Sequence, residues 1–119
     1  MPLILILLAL TSACESSAQR EAESLTGGSI ARGKTAIGKY GCAACHTIPG
    51  IPDATSLIAP PLEHMANRTY VGGVVQNTPK NLIQWIQNPP AIDPKTAMPN
   101  LHVTLDDARD IASYLYTLK

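Results

Sequence analysis

The sequence predicts a small all-α domain of about four helices joined by long proline-rich loops. Four segments place apolar residues at helical spacing, and no segment alternates apolar and polar residues as a half-buried strand does. Ten prolines and eight glycines among 119 residues argue against a bundle made of helices alone. Phe is absent and aromatic residues make up 4% of the chain, so the polypeptide supplies little bulk for a core.

Charge, length and cysteine content exclude several classes of protein. Nine basic and nine acidic side chains balance, which argues against nucleic acid as a partner. A chain of 12.6 kDa is too short for a multidomain enzyme. Three cysteines cannot all pair within a monomer, so a framework made purely of disulfides is excluded.

Residues 1–13 are predicted to be a signal peptide. Their apolar run is shorter than the ~20 residues that a membrane-spanning helix needs. Leu-Thr-Ser-Ala-Cys at positions 10–14 resembles a bacterial lipobox, in which Cys14 is acylated and becomes the mature N-terminus. The alternative is an ordinary cleaved signal with an incidental cysteine. Both interpretations predict export, to the periplasm or to the outer face of the cytoplasmic membrane.

Residues 14–28 are predicted to be a flexible tether, because they are small or polar and show no apolar period. The folded domain then covers residues 29–119. Ser29 is expected to cap its first helix. The apolar residues of this helix share one stripe: Ile30, Gly33, Ile37 and Tyr40. A glycine on that stripe indicates the close approach of another helix.

Three further helices are predicted. A short one lies within Pro61–Asn67. Thr78 followed by Pro79 is typical of an N-cap and a first helical position, and the prolines after Asn88 end that helix. Thr104 begins the last helix, with an acidic residue at its third position. The proline-rich loops over 47–60 and 88–103 need something to pack on.

Cys42-Ala43-Ala44-Cys45-His46 is a C-x-x-C-H motif directly after the first predicted helix. This pattern is typical of covalent haem c attachment. Two thiols on one helical turn can each reach a vinyl group at the same porphyrin edge. His46 can then ligate the iron from the same side. One covalently bound haem c is therefore predicted, and it would supply the apolar bulk that the chain lacks.

Three other interpretations of the motif remain: a thioredoxin-like redox pair, half of a zinc site, or a structural disulfide. No βαβ pattern surrounds the cysteines, and no second pair of zinc ligands occurs in the sequence. None of the three interpretations accounts for His46.

The second axial ligand of the iron has four candidates: Met65, Met98, His64 and His102. Met98 precedes Pro99 in the second proline-rich loop, and a proline favours extended backbone in the residue before it. Met65 lies in a short helical pattern and is more typical of a core residue. Met98 is therefore the predicted ligand. With both axial positions filled, the iron has no open site, which predicts electron transfer without a small-molecule substrate.

Residues Ala31–Leu118 resemble a class I cytochrome c, and more closely the cytochrome c domain fused to subunit II of some bacterial haem–copper oxidases. The matching stretches occur in the same order along the chain: Gly38 to Tyr40 with the cysteine motif, Ala59 to Leu62, Asn67 to Tyr70, Asn77 to Pro79, Leu82 to Pro89, Met98 to Asn100, and Tyr114-Leu115. The resemblance implies the class I cytochrome c fold, wrapped around one covalent haem.

The resemblance also implies roles for individual residues. The carbonyl of Pro60 would accept a hydrogen bond from the second ring nitrogen of His46. Three side chains would face the haem propionates: Arg68, Tyr70 and Trp85. The first helix would cross the last one where two of its residues, Gly33 and Tyr40, meet Ile111 and Leu115.

An electron carrier rather than an enzyme is the expected function. The implied donor is a quinol-oxidising complex or a periplasmic dehydrogenase, and the implied acceptor is a terminal oxidase or reductase. Two alternatives retain the haem: a fixed haem subunit of a dehydrogenase complex, and a gas-sensing or peroxidatic protein in which Met98 is labile. A third alternative is a thiol protein without haem.

Overall fold

The computed structural model describes residues 17–119. Within this range the α-helices are α1 (17–26), α2 (Ile30–Lys39), α3 (Pro79–Gln87), α4 (Pro89–Ile92) and α5 (Leu105–Leu115). Two short 3₁₀ turns, Cys42–Ala44 and Met65–Asn67, lie between α2 and α3. The predicted all-α class is confirmed. Of the described helices, none is long and apolar enough to cross a membrane.

A small hairpin adds two strands that the sequence did not predict. β1 (Tyr70–Val71) and β2 (Val75–Gln76) pair antiparallel, with Tyr70 opposite Gln76 and Val71 opposite Val75. Strands of two residues are too short to show an alternating pattern. Buried Val71 anchors the hairpin in the core.

The three predicted N-caps are confirmed. Ser29 Oγ accepts from the backbone N–H of Arg32 at 3.3 Å, at the start of α2. Thr78 caps α3 and Thr104 caps α5, each accepting from the backbone N–H three residues later at 3.1 Å. These bonds satisfy donors that the first turn of a helix leaves without an intrahelical partner.

Helices α2 and α5 cross in close contact, as the glycine on the α2 stripe predicts. A Cβ atom on Gly33 would lie 2.0 Å from the carbonyl oxygen of Asp110 and 3.1 Å from Cβ of Tyr114. The nearest atoms thus belong to Asp110 and Tyr114, not to the expected Ile111 and Leu115. The side chains of Ile111 and Leu115 are nevertheless buried in the core that α5 faces.

Charged groups hold the two ends of this crossing. Asp110, whose side chain is 8% exposed, accepts from the backbone N–H of Ser29 at 2.8 Å and from Nε of Arg32 at 3.1 Å. At the other end, Asp107 accepts from Tyr40 Oη at 2.6 Å and from Lys39 Nζ at 3.2 Å. The bond from Tyr40, followed by that from Lys39, lowers the pKa of Asp107 below its usual range.

The prediction of a flexible tether is wrong for residues 17–26, which form α1. Two α1 residues four positions apart, Ala22 and Thr26, are 4% and 5% exposed. The hydroxyl of Thr26 is hydrogen-bonded to that of Ser113 on α5, and Glu23 Oε1 accepts from the N–H of Ile30 at 3.0 Å. The segment is rich in Ala, Gln, Arg, Glu and Leu, which favour helix, so a narrow buried face is enough to dock it.

The other N-terminal predictions lie outside the described residues. These are the signal peptide over 1–13, the possible acylation of Cys14, and the first part of the tether. Residues 27 and 28 form the turn from α1 into α2, where a Cβ on Gly28 would lie 2.3 Å from the carbonyl oxygen of Arg109.

Replacing Gly33 with Ala should destabilise the fold by about 2 kcal/mol or more, because the added methyl group overlaps backbone that cannot yield without separating α2 from α5. Gly38→Ala is the matched control on the same helix, since no atom lies within 4 Å of its added Cβ. That change should stabilise the protein by about 0.5–1 kcal/mol through helix propensity. Urea unfolding of both variants measures the difference, and equal stabilities would contradict the close crossing.

Candidate functional site

The C-x-x-C-H motif occupies a tight turn at the end of α2. Gly41 has a φ of 70°, the left-handed conformation that commonly ends a helix, and it directs the chain into the 3₁₀ turn Cys42–Ala44. The carbonyl of Cys42 accepts from the N–H groups of Cys45 at 3.3 Å and His46 at 3.1 Å. Residues three apart in a 3₁₀ turn lie nearly in line. The turn therefore sets both cysteines along one edge.

Both cysteines are half-buried, and no disulfide joins them to each other. Burial raises the pKa of the Cys42 thiol above its ordinary value. Cys42 is also packed against the hydrophobic core, together with Ala43. The two sulfur atoms are thus placed at the boundary between the core and the surface.

The ring of His46 is fixed by one hydrogen bond. Its Nδ1 lies 2.7 Å from the carbonyl oxygen of Pro60. A carbonyl can only accept, so Nδ1 carries a proton, and in the neutral ring Nε2 then keeps its lone pair. This tautomer is the one in which Nε2 can bind a metal ion. The contact that the resemblance implies is therefore present.

The loop after the motif is bonded back onto it and exposes two large apolar side chains. Ala59 N–H donates to the carbonyl of Cys45, and Leu62 N–H donates to that of Thr47, both at 2.8 Å. Immediately before Ala59, Leu57 is 78% exposed and Ile58 is 81% exposed. Two thiols, an imidazole with a free lone pair and adjacent apolar surface are a donor set and lining that fit a haem.

The four candidates for the second axial ligand occupy different environments. Met98 is half-buried and packs against the same core as Cys42. Met65 is 4% exposed and belongs to that core, as its helical pattern suggested. His64 and His102 are exposed, in turns where their φ angles are 57° and 56°. Ligation by Met98 stays a prediction.

Comparison with protein families supplies the deciding observation. The family model described as Cytochrome c matches residues 30–119, three quarters of the chain and all of the domain that carries the motif. The chain belongs to the cytochrome c family. Comparisons with curated proteins and with solved structures gave no significant match.

Membership identifies a class I c-type cytochrome with one covalently bound haem c and the role of a haem-based electron carrier. The zinc-site and thioredoxin-like interpretations of the motif fit the structure less well. Among residues 17–119, no three His, Cys, Asp or Glu side chains cluster as ligands for a metal ion, as a zinc site requires. The described strands form one short antiparallel hairpin, whereas a thioredoxin-like cysteine pair accompanies a βαβ unit.

The three side chains expected to face the haem propionates differ in exposure and in hydrogen bonding. Arg68 Nη2 donates to the carbonyls of Pro61 and Glu63, the latter at 3.0 Å. Tyr70 is 59% exposed on β1. Trp85 is 7% exposed in the core, and a Cβ on Gly72 would lie 2.4 Å from its ring. Contacts from these residues to propionates stay predictions, and Trp85 is in addition a core residue.

Sequence reasoning gave no role to two residues that brace this region of the cytochrome. Asn77 Nδ2 donates to the carbonyls of Met65 at 3.0 Å and Arg68 at 2.9 Å, while its Oδ1 accepts from Tyr116 Oη at 3.0 Å. Burial raises the pKa of Tyr116 to about 12, so this phenol remains a donor at neutral pH. An asparagine before a helix cap usually signals only a turn, so the sequence carried no sign of this bracing.

Replacing both motif cysteines with alanine should abolish covalent attachment, because no thiol remains on the 3₁₀ turn to form a thioether. The wild-type holoprotein is expected to keep its pigment in acidified acetone and to show the mass of polypeptide plus haem. Cys14→Ser is the control, and it should keep the haem because Cys14 lies outside the motif. Attachment that survives in the double variant would disprove the assignment of Cys42 and Cys45.

Proposed function

We propose that this chain is an exported, lipid-anchored monohaem cytochrome that carries single electrons between respiratory proteins. The donor would be a quinol-oxidising complex or a periplasmic dehydrogenase, and the acceptor a terminal oxidase or reductase. The observation that carries the proposal is the His46 imidazole, oriented by Pro60 beside two thiols on one turn.

The chain's residues would divide the work. Haem c, when bound, supplies a one-electron iron couple. Cys42 and Cys45 would hold it covalently, and His46 would present Nε2 to the iron. Met98 would fill the opposite position and keep small molecules away from the metal. A thioether opposite an imidazole raises the reduction potential relative to two imidazoles, which suits a carrier that delivers electrons to a terminal oxidase.

The charge of the domain favours anchoring over long-range steering. From Ile30 to Lys119 there are eight Lys and Arg against six Asp and Glu, so the formal charge is +2 before haem is added. Two ionised propionates would nearly cancel it. A carrier with so small a charge gains little from electrostatic attraction, whereas attachment to the membrane raises its concentration near membrane partners.

Met98→Ala should lower the reduction potential and open the reduced iron to carbon monoxide, because the thioether that closes the second axial position is removed. A redox titration and a carbon monoxide difference spectrum measure the two effects. Met65→Ala is the matched control, since Met65 is buried in the core. It should cost about 2–5 kcal/mol of stability while leaving the potential and the closed iron unchanged.

The contrary result is a Met98→Ala protein with the wild-type potential and no carbon monoxide binding, which would remove Met98 from the iron. Rapid binding of carbon monoxide to the wild-type protein would instead favour the gas-sensing or peroxidatic alternative.

The proposed anchor predicts that the wild-type protein partitions with membranes and that its mature N-terminal peptide begins at an acylated Cys14. Cys14→Ser should release the haem protein into the aqueous fraction without changing its absorption spectrum, because the substitution lies outside the folded domain's match at residues 30–119. Mass spectrometry of the N-terminal peptide provides the check. An unmodified peptide in the wild type would support the ordinary cleaved signal.

A further inference from the structure

The guanidinium of Arg68 grips the backbone next to the His46 contact. Its Nη2 nitrogen donates to two carbonyls, those of Pro61 and Glu63. Pro61 directly follows Pro60, whose carbonyl accepts from His46. A nitrogen that bonds to both sides of Leu62 restricts how far this segment can move, and so restricts the position of the Pro60 carbonyl.

The backbone of Arg68 is itself held in place by Asn77. Asn77 donates to the carbonyls of Met65 and Arg68, and its own backbone N–H donates to that of Thr69 at 2.9 Å. The hydroxyl of Tyr116, just after α5, completes the bracing by donating to the Asn77 side-chain oxygen at 3.0 Å. These bonds form a continuous chain from the end of α5, through Asn77 and Arg68, to the segment that holds His46.

We propose that Arg68 is a positioning residue for His46, acting through the Pro60–Pro61 backbone, with Asn77 and Tyr116 fixing its place. The inference rests on the proposed function in one respect, namely that His46 serves as an iron ligand. A firm hydrogen bond at Nδ1 makes Nε2 more basic and stabilises oxidised iron. We call the two bonds from Arg68 Nη2 to the carbonyls of Pro61 and Glu63 the clamp. The clamp would thereby help to set the reduction potential without contacting the haem.

This role differs from the propionate contact that the resemblance implies. A contact with propionates depends on the positive charge of Arg68. The clamp depends on the two N–H groups of Nη2, and within residues 17–119 the other guanidinium nitrogens make no hydrogen bond to protein. The two roles use different nitrogens, so one side chain can perform both, and a direct measurement on the His46 ring separates them.

The decisive measurement is hydrogen exchange of the His46 Nδ1 proton, observed by nitrogen-15 NMR in the reduced holoprotein. In Arg68→Met, exchange of the His46 Nδ1 proton should be at least about tenfold faster than in the wild type. Loss of one hydrogen bond costs about 1.4 kcal/mol, and this free energy corresponds to a factor of ten in an equilibrium constant. A shift of the ring nitrogen resonance should accompany it. A purely electrostatic role would change the potential and leave this exchange rate unchanged.

Arg32→Met is the matched control. Arg32 also contacts its acceptor through two nitrogens, but the acceptor is Asp110, where α2 meets α5. This variant loses stability without losing the clamp, so His46 Nδ1 exchange should stay at the wild-type rate under native conditions. Equal acceleration in both variants would mean that general destabilisation is the cause, and it would overturn the proposal.

If Arg68→Met yields no folded holoprotein, Tyr116→Phe takes its place, since it removes one hydroxyl at the far end of the chain of bonds. A smaller acceleration in the same direction is expected, and an unchanged rate would overturn the proposal. Failure of the chemically reduced wild-type protein to pass its electron to a terminal oxidase or reductase would count against the proposed function, while the exchange comparison in the reduced protein would still decide the role of Arg68.

Discussion

The contact between α2 and α5 at Gly33 is the constraint on which the site depends. With no side chain at Gly33, the backbone of α5 comes close enough for Asp110 and Asp107 to bond to both ends of α2. Gly41 ends α2 one residue before Cys42, so whatever fixes the helix fixes the first thiol. The attachment turn is thus an extension of the closely packed α2–α5 pair.

Much of this fold could be predicted because its signals are local. Helix starts at Ser29, Thr78 and Thr104 depend on a side chain and a backbone N–H three residues away, and the sequence displays both. The docking of α1 depends instead on Thr26 meeting Ser113, 87 residues further along the chain. A polar, small-residue segment shows helix propensity but does not show its partner, and the tether prediction failed for that reason.

The site divides in the same way. The thiols and the imidazole lie within five consecutive residues, so the motif alone indicates their chemistry. Pro60 lies 14 residues from His46, and its contact was implied by family resemblance rather than by any local pattern. The bracing by Asn77 joins three separate parts of the chain, namely residues 65–69, Asn77 itself and Tyr116. Two of its side-chain bonds end on backbone carbonyls, which every residue possesses and which leave no trace in composition.

The packing of α1 on the domain changes how far a lipidated form could reach. A flexible coil from Cys14 to residue 28 would place the haem domain at a root-mean-square distance of about 20 Å from its acyl chains. With residues 17–26 docked beside α5, only the peptide from Cys14 to Ser17 separates the acylation position from the docked helix, and three residues span at most about 10 Å. In an acylated protein the haem domain would then lie close to the lipid headgroups, with restricted rotation. It would exchange electrons with redox centres near the bilayer surface rather than with centres far above it.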